Sequence, residues 1–200
     1  MAVENEAKFA VPSHDEVRER LRANSAERLG RVIETNSIYD WMSPDAAPSA
    51  VGALRQRGAA LRVRSVEVLE GPARPATVTF KGPVEAGSFK RRAELELPLV
   101  EGEGMRRLLE AIGFAELVRF QKRRESWRLG ECLVELDELP RLGCFVEIES
   151  PDDAAIERTR KLLGLGEAKL VRQSYVGLVA EAFAEEIRAK RAIDFPPDPS

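Results

Sequence analysis

Short runs in which apolar and charged residues alternate recur along most of this chain of 200 residues. Successive side chains of an extended strand point to opposite faces, so each run predicts a strand with one apolar and one charged face. The runs cover residues 4–8, 61–64, 77–81, 91–99, 118–128, 131–137 and 145–149, and residues 31–41 are predicted as a further strand.

Apolar residues at helical spacing predict four helices between and after these strands. One is expected over residues 102–112, with Gly113 as its stop. The others are expected at Ser13, as N-cap of a capping box with Glu16; at Ser150, as N-cap with Pro151 in the first helical position, ending near Gly164; and after Ser174-Tyr175.

The length fits one domain, which is predicted to span residues 1–193. The Pro-rich residues 194–200 are predicted to form a disordered tail. Residues 43–58 contain two prolines and two glycines and predict a long loop or lid, with a short helical turn near Ala53-Leu54-Arg55.

The chain carries 31 basic and 34 acidic residues, a balance that argues against a general nucleic-acid binder. The N-terminus has no signal-peptide pattern, and no apolar run approaches the roughly 20 residues of a membrane helix, so a cytoplasmic protein is expected. Cys132 and Cys144 are expected to be reduced and buried. His14 is the one histidine, and a single histidine argues against a typical zinc site and, unless His14 itself serves, against a His-dependent nucleophile. It is predicted at the surface, in the first turn of a helix.

The charged faces carry both signs. The basic members are Lys8, Arg62, Arg64, Lys81, Arg92, Lys122 and Arg124, and the acidic ones are Glu4, Glu6, Glu94, Glu96, Glu135, Asp137, Glu147 and Glu149. One solvated sheet face would account for two or three such strands. Seven favour a closed antiparallel barrel with a polar lumen, because closure gathers these side chains around one cavity.

Burying so many charges is costly unless they pair with one another or bind a ligand. A polyanion would satisfy the lysines and arginines, and a divalent cation would satisfy the carboxylates. A phosphate chain carrying Mg²⁺ or Mn²⁺ does both, since a hard ion prefers oxygen ligands.

Seven short motifs in this order resemble the CYTH family of triphosphate tunnel enzymes, which includes class IV adenylyl cyclases and thiamine triphosphatases. The resemblance covers roughly residues 1–180. The motifs are Glu4-Asn5-Glu6-Ala7-Lys8, Leu61–Arg64, Lys81-Gly82-Pro83, Arg92–Glu96, Lys122–Arg124, Leu136-Asp137 with Gly143–Glu149, and Ser174-Tyr175. The loop at 43–58 looks longer than is usual in the family.

The resemblance implies an α+β fold, a closed eight-stranded antiparallel β-barrel with flanking helices, often in a homodimer. It implies that the triphosphate is bound by Lys8, Arg62, Arg64, Lys81, Arg92, Lys122 and Arg124. It implies that Glu4, Glu6, Asp137, Glu147 and Glu149 hold one or two metal ions, and that Glu4, Glu6, Lys8 and Lys81 are catalytic. The alternative for each residue is a structural ion pair, and this alternative weighs most for Glu96, Glu135 and Arg172.

Three assignments stay open within the resemblance. Glu94 and Glu96 either bind metal or orient the arginines. Tyr175 either covers the tunnel mouth or is a core aromatic residue at a helix start.

The family's chemistry leaves the reaction open. If the ribose 3′-hydroxyl of ATP attacks, the products are cyclic AMP and pyrophosphate, as in a class IV adenylyl cyclase. If water attacks, the protein is a triphosphatase acting on inorganic triphosphate, thiamine triphosphate or a nucleoside triphosphate. A non-catalytic polyphosphate or nucleotide sensor is a further alternative, although such a binder would not need the carboxylates.

Overall fold

A computed structural model describes residues 2–41, 52–190 and 192–196. Eight of its strands are β1 Ala2–Val11, β2 Glu27–Trp41, β3 Ala60–Glu70, β4 Ala76–Lys81, β5 Lys90–Leu99, β6 Phe114–Leu129, β7 Cys132–Leu139 and β8 Gly143–Glu149. They pair antiparallel in the order β6-β2-β3-β4-β5-β1-β8-β7, and β7 pairs with β6 again. The predicted closed eight-stranded barrel is confirmed.

The helices lie around this barrel. They are α1 Asp15–Ala23, α2 Ala53–Gln56, α3 Gly102–Ala111, α4 Asp153–Leu162, α5 Tyr175–Ala182 and α6 Ala184–Lys190. Two short strands were not predicted: β9 Lys169–Leu170 pairs with β1, and β10 Ala192–Ile193 pairs parallel to β6. The helical turn predicted near Ala53 is α2, while residues 43–51 of the predicted loop lie outside the described residues.

Two predicted helix caps were wrong. The N-cap of α1 is His14, and the Ser13 hydroxyl accepts a hydrogen bond from the Asp15 amide at 3.2 Å. The N-cap of α4 is Asp152 in place of Ser150, because the Asp152 carboxylate accepts from the Ala154 amide at 2.9 Å. Pro151 therefore precedes the helix.

The outer faces of β1, β7 and β8 form the largest hydrophobic core under α1 and α4. Phe9, Leu136 and Ile148 from the strands pack there with Leu21 and Ile156 from the helices. Alternation along each strand then directs the charged residues inward, so this packing fixes the lumen side chains.

The histidine prediction was wrong. His14 is 7% exposed, and its Nε2 donates a hydrogen bond to the Phe145 carbonyl at 3.0 Å, because α1 packs directly on β8. Both cysteines are free, as expected; Cys132 is buried, but Cys144 is only half-buried.

Within the described part of the chain, no helix combines the length and apolar character that a membrane span requires. The extent of the domain and the disordered tail stay predictions. Residues 197–200 lie outside the description, and the Phe195 amide donates to Gln121 Oε1 at 3.0 Å.

Candidate active site in the barrel lumen

The barrel encloses a cavity of about 1020 Å³. Most of the residues predicted for the site line it: Glu4, Glu6, Lys8, Arg62, Arg64, Lys81, Arg92, Lys122, Arg124, Glu147 and Glu149, together with Glu94, Glu96 and Glu135. Asp137 is the exception, since it is fully buried behind this surface. The lining strands come from the whole circumference, so barrel closure brings together residues that are far apart in the sequence.

Three carboxylates form what we call the acidic cluster: Glu4, Glu6 and Glu149. Glu4 and Glu6 alternate on β1, and Glu6 pairs in register with Glu149 on β8. One oxygen of each carboxylate lies within 4.8 Å of the others. Oxygen-only donors at this separation suit Mg²⁺ or Mn²⁺, which bind carboxylate oxygens at about 2 Å.

Basic side chains surround part of the acidic cluster. Lys81 contacts Glu4 at 2.8 Å, Arg92 donates to Glu4 at 3.1 Å, and Lys90 forms an ion pair with Glu6. Among the described residues, Glu149 has no ion-pair partner. The cluster therefore retains one carboxyl group that no neighbouring cation neutralises.

The two ends of the cluster differ in protonation. Burial opposes ionisation of Glu4, but the Lys81 ammonium and Arg92 outweigh it and lower the pKa of Glu4 to about 2. Burial raises the pKa of Glu149 to about 8, with Glu147, Glu135 and Glu6 adding to the shift and Arg124 opposing it. A cation bound beside Glu149 would lower this pKa and favour the ionised carboxylate.

A second group, the buried ion network, comprises Glu34, Lys122, Arg124, Asp137 and Glu147. Asp137 accepts from Arg124 Nε at 2.7 Å, Arg124 Nη2 at 2.6 Å and Lys122 Nζ at 3.0 Å. Arg124 also donates to Glu147 at 2.6 Å. Burial opposes ionisation of Asp137, but Arg124 and Lys122 hold its pKa well below the usual range.

The Tyr175 hydroxyl donates a fourth hydrogen bond to Asp137 at 2.8 Å. Donors thus fill the Asp137 carboxylate, which orients Arg124 and Lys122. The predicted metal-binding roles of Asp137 and Glu147 stay predictions, and the contacts of both residues are with cations and with this tyrosine.

The remaining lumen acids pair with the arginines and lysines. Glu96 accepts from Thr79 at 2.8 Å and from Arg62 at 3.3 Å, and Glu94 contacts Lys81 at 2.8 Å. Of the two roles left open for these acids, the contacts favour orientation of the basic groups. Burial lowers the pKa of Arg62 to about 10, with the neighbouring Arg64 cation adding to the shift and Glu34, Glu94 and Glu96 opposing it.

The contacts of Tyr175 fit a core aromatic residue, and its predicted role as a cover of the tunnel mouth stays a prediction. It packs with Phe145 and Val179 in a hydrophobic cluster at one end of the barrel, and it also lines the cavity. The Lys8 ammonium lies 3.9 Å from the centre of its ring. Arg172 reaches away from the acids and donates to the Gly87 and Ser88 carbonyls at 3.3 and 3.0 Å.

Three lumen residues were missed in the sequence: Glu34, Asn36 and Lys90. Glu34 accepts from Arg64 at 2.9 Å and lies 3.4 Å from Lys122. Glu34, Asn36 and Ile38 are spaced two apart and share one face of β2. This period of two could have revealed the first two within the predicted strand at 31–41. Lys90 lies one residue before the predicted strand at 91–99, on the same face of β5 as Arg92.

Comparison with known proteins agrees with this geometry. A model of the CYTH domain family matches residues 2–175. The Methanocaldococcus jannaschii protein named "Putative adenylate cyclase MJ0240" is 24% identical over 185 residues, which are 88% of this chain and 98% of that protein. Among solved structures, the PH1819 protein from Pyrococcus horikoshii OT3 has a TM-score of 0.72 and 28% identity, covering 90% of this chain and 99% of its own.

A further solved structure shares the fold at lower identity. The Hippeastrum protein HpAC1, described as a "putative adenylyl cyclase" with a dominant triphosphatase activity, has a TM-score of 0.65 and 19% identity, over 91% of this chain and 96% of its own. The family model covers most of the present chain. The barrel and charged lumen of this protein are those expected from the motifs. This protein belongs to the CYTH family.

Proposed function

We propose that this protein is a divalent-metal-dependent enzyme that cleaves a triphosphate inside the barrel, converting ATP to cyclic AMP and pyrophosphate as a class IV adenylyl cyclase does. The observation that carries the proposal is one cavity holding both the acidic cluster and a set of lysines and arginines. Neither group alone suits a metal–triphosphate complex, but together they match both of its charges.

The basic residues bind and orient the phosphate chain in this proposal: Lys8, Arg62, Arg64, Lys81, Arg92, Lys122 and Arg124. Fixed cations stabilise the negative charge that develops during phosphoryl transfer without reorganising. Lys8 and Lys81 lie beside the cluster acids, and burial lowers the pKa of each. A phosphate would replace the lost solvation and keep both groups charged.

Glu4, Glu6 and Glu149 would hold Mg²⁺ or Mn²⁺. When bound, such an ion supplies Lewis acidity and lowers the pKa of an attacking hydroxyl or water. Asp137 acts from behind the cavity surface, where it holds Arg124 and Lys122 in place. Glu147 lies on that surface and holds Arg124 and Lys8. The family resemblance also favours a homodimer.

Triphosphate hydrolysis is the second candidate reaction. It is favoured by the dominant triphosphatase activity described for the Hippeastrum protein, whose fold this chain shares. The lumen residues serve either attacking oxygen, so the phosphate-binding part of the site does not separate cyclase from hydrolase. A non-catalytic sensor would need the basic residues but not the acidic cluster.

Incubation with ATP, inorganic triphosphate and thiamine triphosphate, each with Mg²⁺ or Mn²⁺, tests the proposal. Separation of the products should show cyclic AMP and pyrophosphate from ATP, and a chelator should abolish turnover. Release of orthophosphate alone would establish the triphosphatase. Binding without any product would establish the sensor, and full turnover in chelator would contradict metal dependence.

A further inference from the structure

The lumen changes character toward the end of the barrel that α5 covers. Facing residues of β2 and β6 are Glu34 with Lys122, Asn36 with Phe120, and Ile38 with Val118. Successive pairs lie about 7 Å apart along the strands, because each residue rises about 3.4 Å. Along the lumen, a charged layer of side chains is thus followed by a layer with an amide and an aromatic ring, and then by an apolar layer.

At this end α5 fills only part of the lumen. Tyr175 and Val179 pack against Ile38, Val118 and Phe120. A neighbouring face of α5, with Val176 and Ala180, borders the open cavity instead. We call this border the apolar mouth, formed by Ile38, Leu117, Phe120, Val176 and Ala180.

The size of the cavity bears on what it holds. Pockets for drug-sized ligands span about 300–1000 Å³. The cavity, at about 1020 Å³, lies just above this range. A bare triphosphate would leave much of that space empty, and the space includes the apolar mouth.

Asn36 lies between the basic residues and the apolar mouth. Its side chain is 1% exposed, and its Oδ1 accepts from Arg64 Nε at 2.9 Å, which fixes the orientation of the amide. Its Nδ2 is buried and has no hydrogen-bond partner among the described residues. An unpaired buried donor is costly, and this one belongs to a side chain that lines the cavity.

We infer that Asn36 is a specificity-determining residue, whose Nδ2 donates a hydrogen bond to the group esterified to the triphosphate. The apolar mouth holds the ring of that group. The chemical class is an organic triphosphate with a flat heteroaromatic group and hydrogen-bond acceptors, such as a nucleoside triphosphate. The inference rests on the proposed function, since a triphosphate must first occupy the basic lumen.

Calorimetric titration with ATP and with inorganic triphosphate tests the inference, with Ca²⁺ in place of Mg²⁺ to slow turnover. Asn36→Leu also loses the contact to Arg64, which should weaken both ligands alike. The ratio of the two affinities isolates the Nδ2 hydrogen bond, and we expect the preference for ATP to fall about 5- to 10-fold. Ala180→Trp fills the mouth from an exposed helix position and should weaken ATP at least about tenfold, leaving inorganic triphosphate within about twofold.

Ala182→Trp is the matched control, since Ala182 is an exposed residue of the same helix that does not line the cavity. It should leave both affinities unchanged. If Asn36→Leu and Ala180→Trp weaken ATP and inorganic triphosphate by equal factors, the inference is wrong while the proposed function stands. If the unaltered protein binds neither ligand, both fail.

Discussion

The acidic cluster and the buried ion network contain the same kinds of residue, but their charges are balanced differently. In the network, Asp137 accepts four hydrogen bonds, and Glu34 contacts both Arg64 and Lys122. In the cluster, Glu149 has no ion-pair partner among the described residues, and its pKa is raised to about 8. The donors around Asp137 occupy its carboxylate, whereas Glu149 brings to the cluster a carboxyl group that no ion pair occupies.

Asp137→Asn should have the largest effect, and the effect should be on stability. The substitution leaves Arg124 and Lys122 without their charged partner in a fully buried position. We expect the free energy of unfolding to fall by about 3–5 kcal/mol, measured by urea denaturation. Glu138→Gln is the control, because its ion pair with Arg123 is half exposed, and it should change stability by less than about 1 kcal/mol. Equal losses in the two variants would remove the distinction.

Glu6→Gln should act on turnover. An amide is a poorer metal ligand than a carboxylate, so we expect the rate to fall about 100- to 1000-fold, equivalent to about 3–4 kcal/mol. Glu4→Gln should behave alike, and excess Mn²⁺ should restore part of either rate. The exposed Glu67→Gln serves as control. A Glu6→Gln variant that is destabilised but fully active would show that Glu6 is a structural partner of Lys90.

Arg62→Ala should weaken triphosphate binding without unfolding the protein. The lost charge-assisted contacts should lower affinity about 10- to 150-fold. Stability of the empty protein should change little, because Arg62 and Arg64 repel each other there. Lys81→Ala should also weaken binding more than folding. The exposed Arg107→Ala is the control, and the prediction fails if Arg62→Ala unfolds while the affinity of its folded fraction is unchanged.

The buried ion network and the acidic cluster should affect the pH dependence of stability in opposite directions. Burial opposes ionisation of Glu34, but Arg64 and Lys122 hold its pKa below the ordinary value of about 4.3. Its contribution to stability is therefore present above that value and lost as the pH falls below it, by at most about 1.4 kcal/mol per pH unit. Unfolding measurements from pH 6 to 3 should show a shallower decline for Glu34→Gln than for the unaltered protein.

Glu149 should respond in the opposite direction in chelator. Its raised pKa means that the folded protein holds a proton that the unfolded chain releases near pH 4.3, so its contribution is lost as the pH rises through about 8. Glu149→Gln should remove this loss between pH 5 and 8. An unchanged pH profile would show that the carboxyl is neutralised in another way.

Much of the fold was predictable from the sequence because strand alternation is local. The faces of Arg62 with Arg64, or Glu147 with Glu149, follow from a period of two and require no knowledge of the partner strand. The function of each carboxylate was not predictable in this way. Asp137 and Glu149 both alternate with apolar residues, and only strand register places Asp137 beside Arg124 and leaves Glu149 beside Glu6.

The errors arose where the sequence pattern does not show the three-dimensional contacts. His14 looked like a first-turn surface residue, but its burial depends on how α1 packs on β8. Glu34 and Asn36 were missed because the apolar residues Val32 and Ile38 lie on the same strand face. That face therefore shows no continuous series of charged residues. The choice between Ser150 and Asp152 as helix cap depends on which side-chain oxygen reaches the first free amide.

Calorimetric titration of the metal-free protein with Mn²⁺ tests most directly whether the acidic cluster is the metal site. The unaltered protein should bind Mn²⁺, and Glu149→Gln should bind it at least about tenfold more weakly while its unfolding free energy in chelator is equal or higher. The exposed Glu131→Gln variant should bind as the unaltered protein does. Equal Mn²⁺ affinity in Glu149→Gln and the unaltered protein would contradict the account.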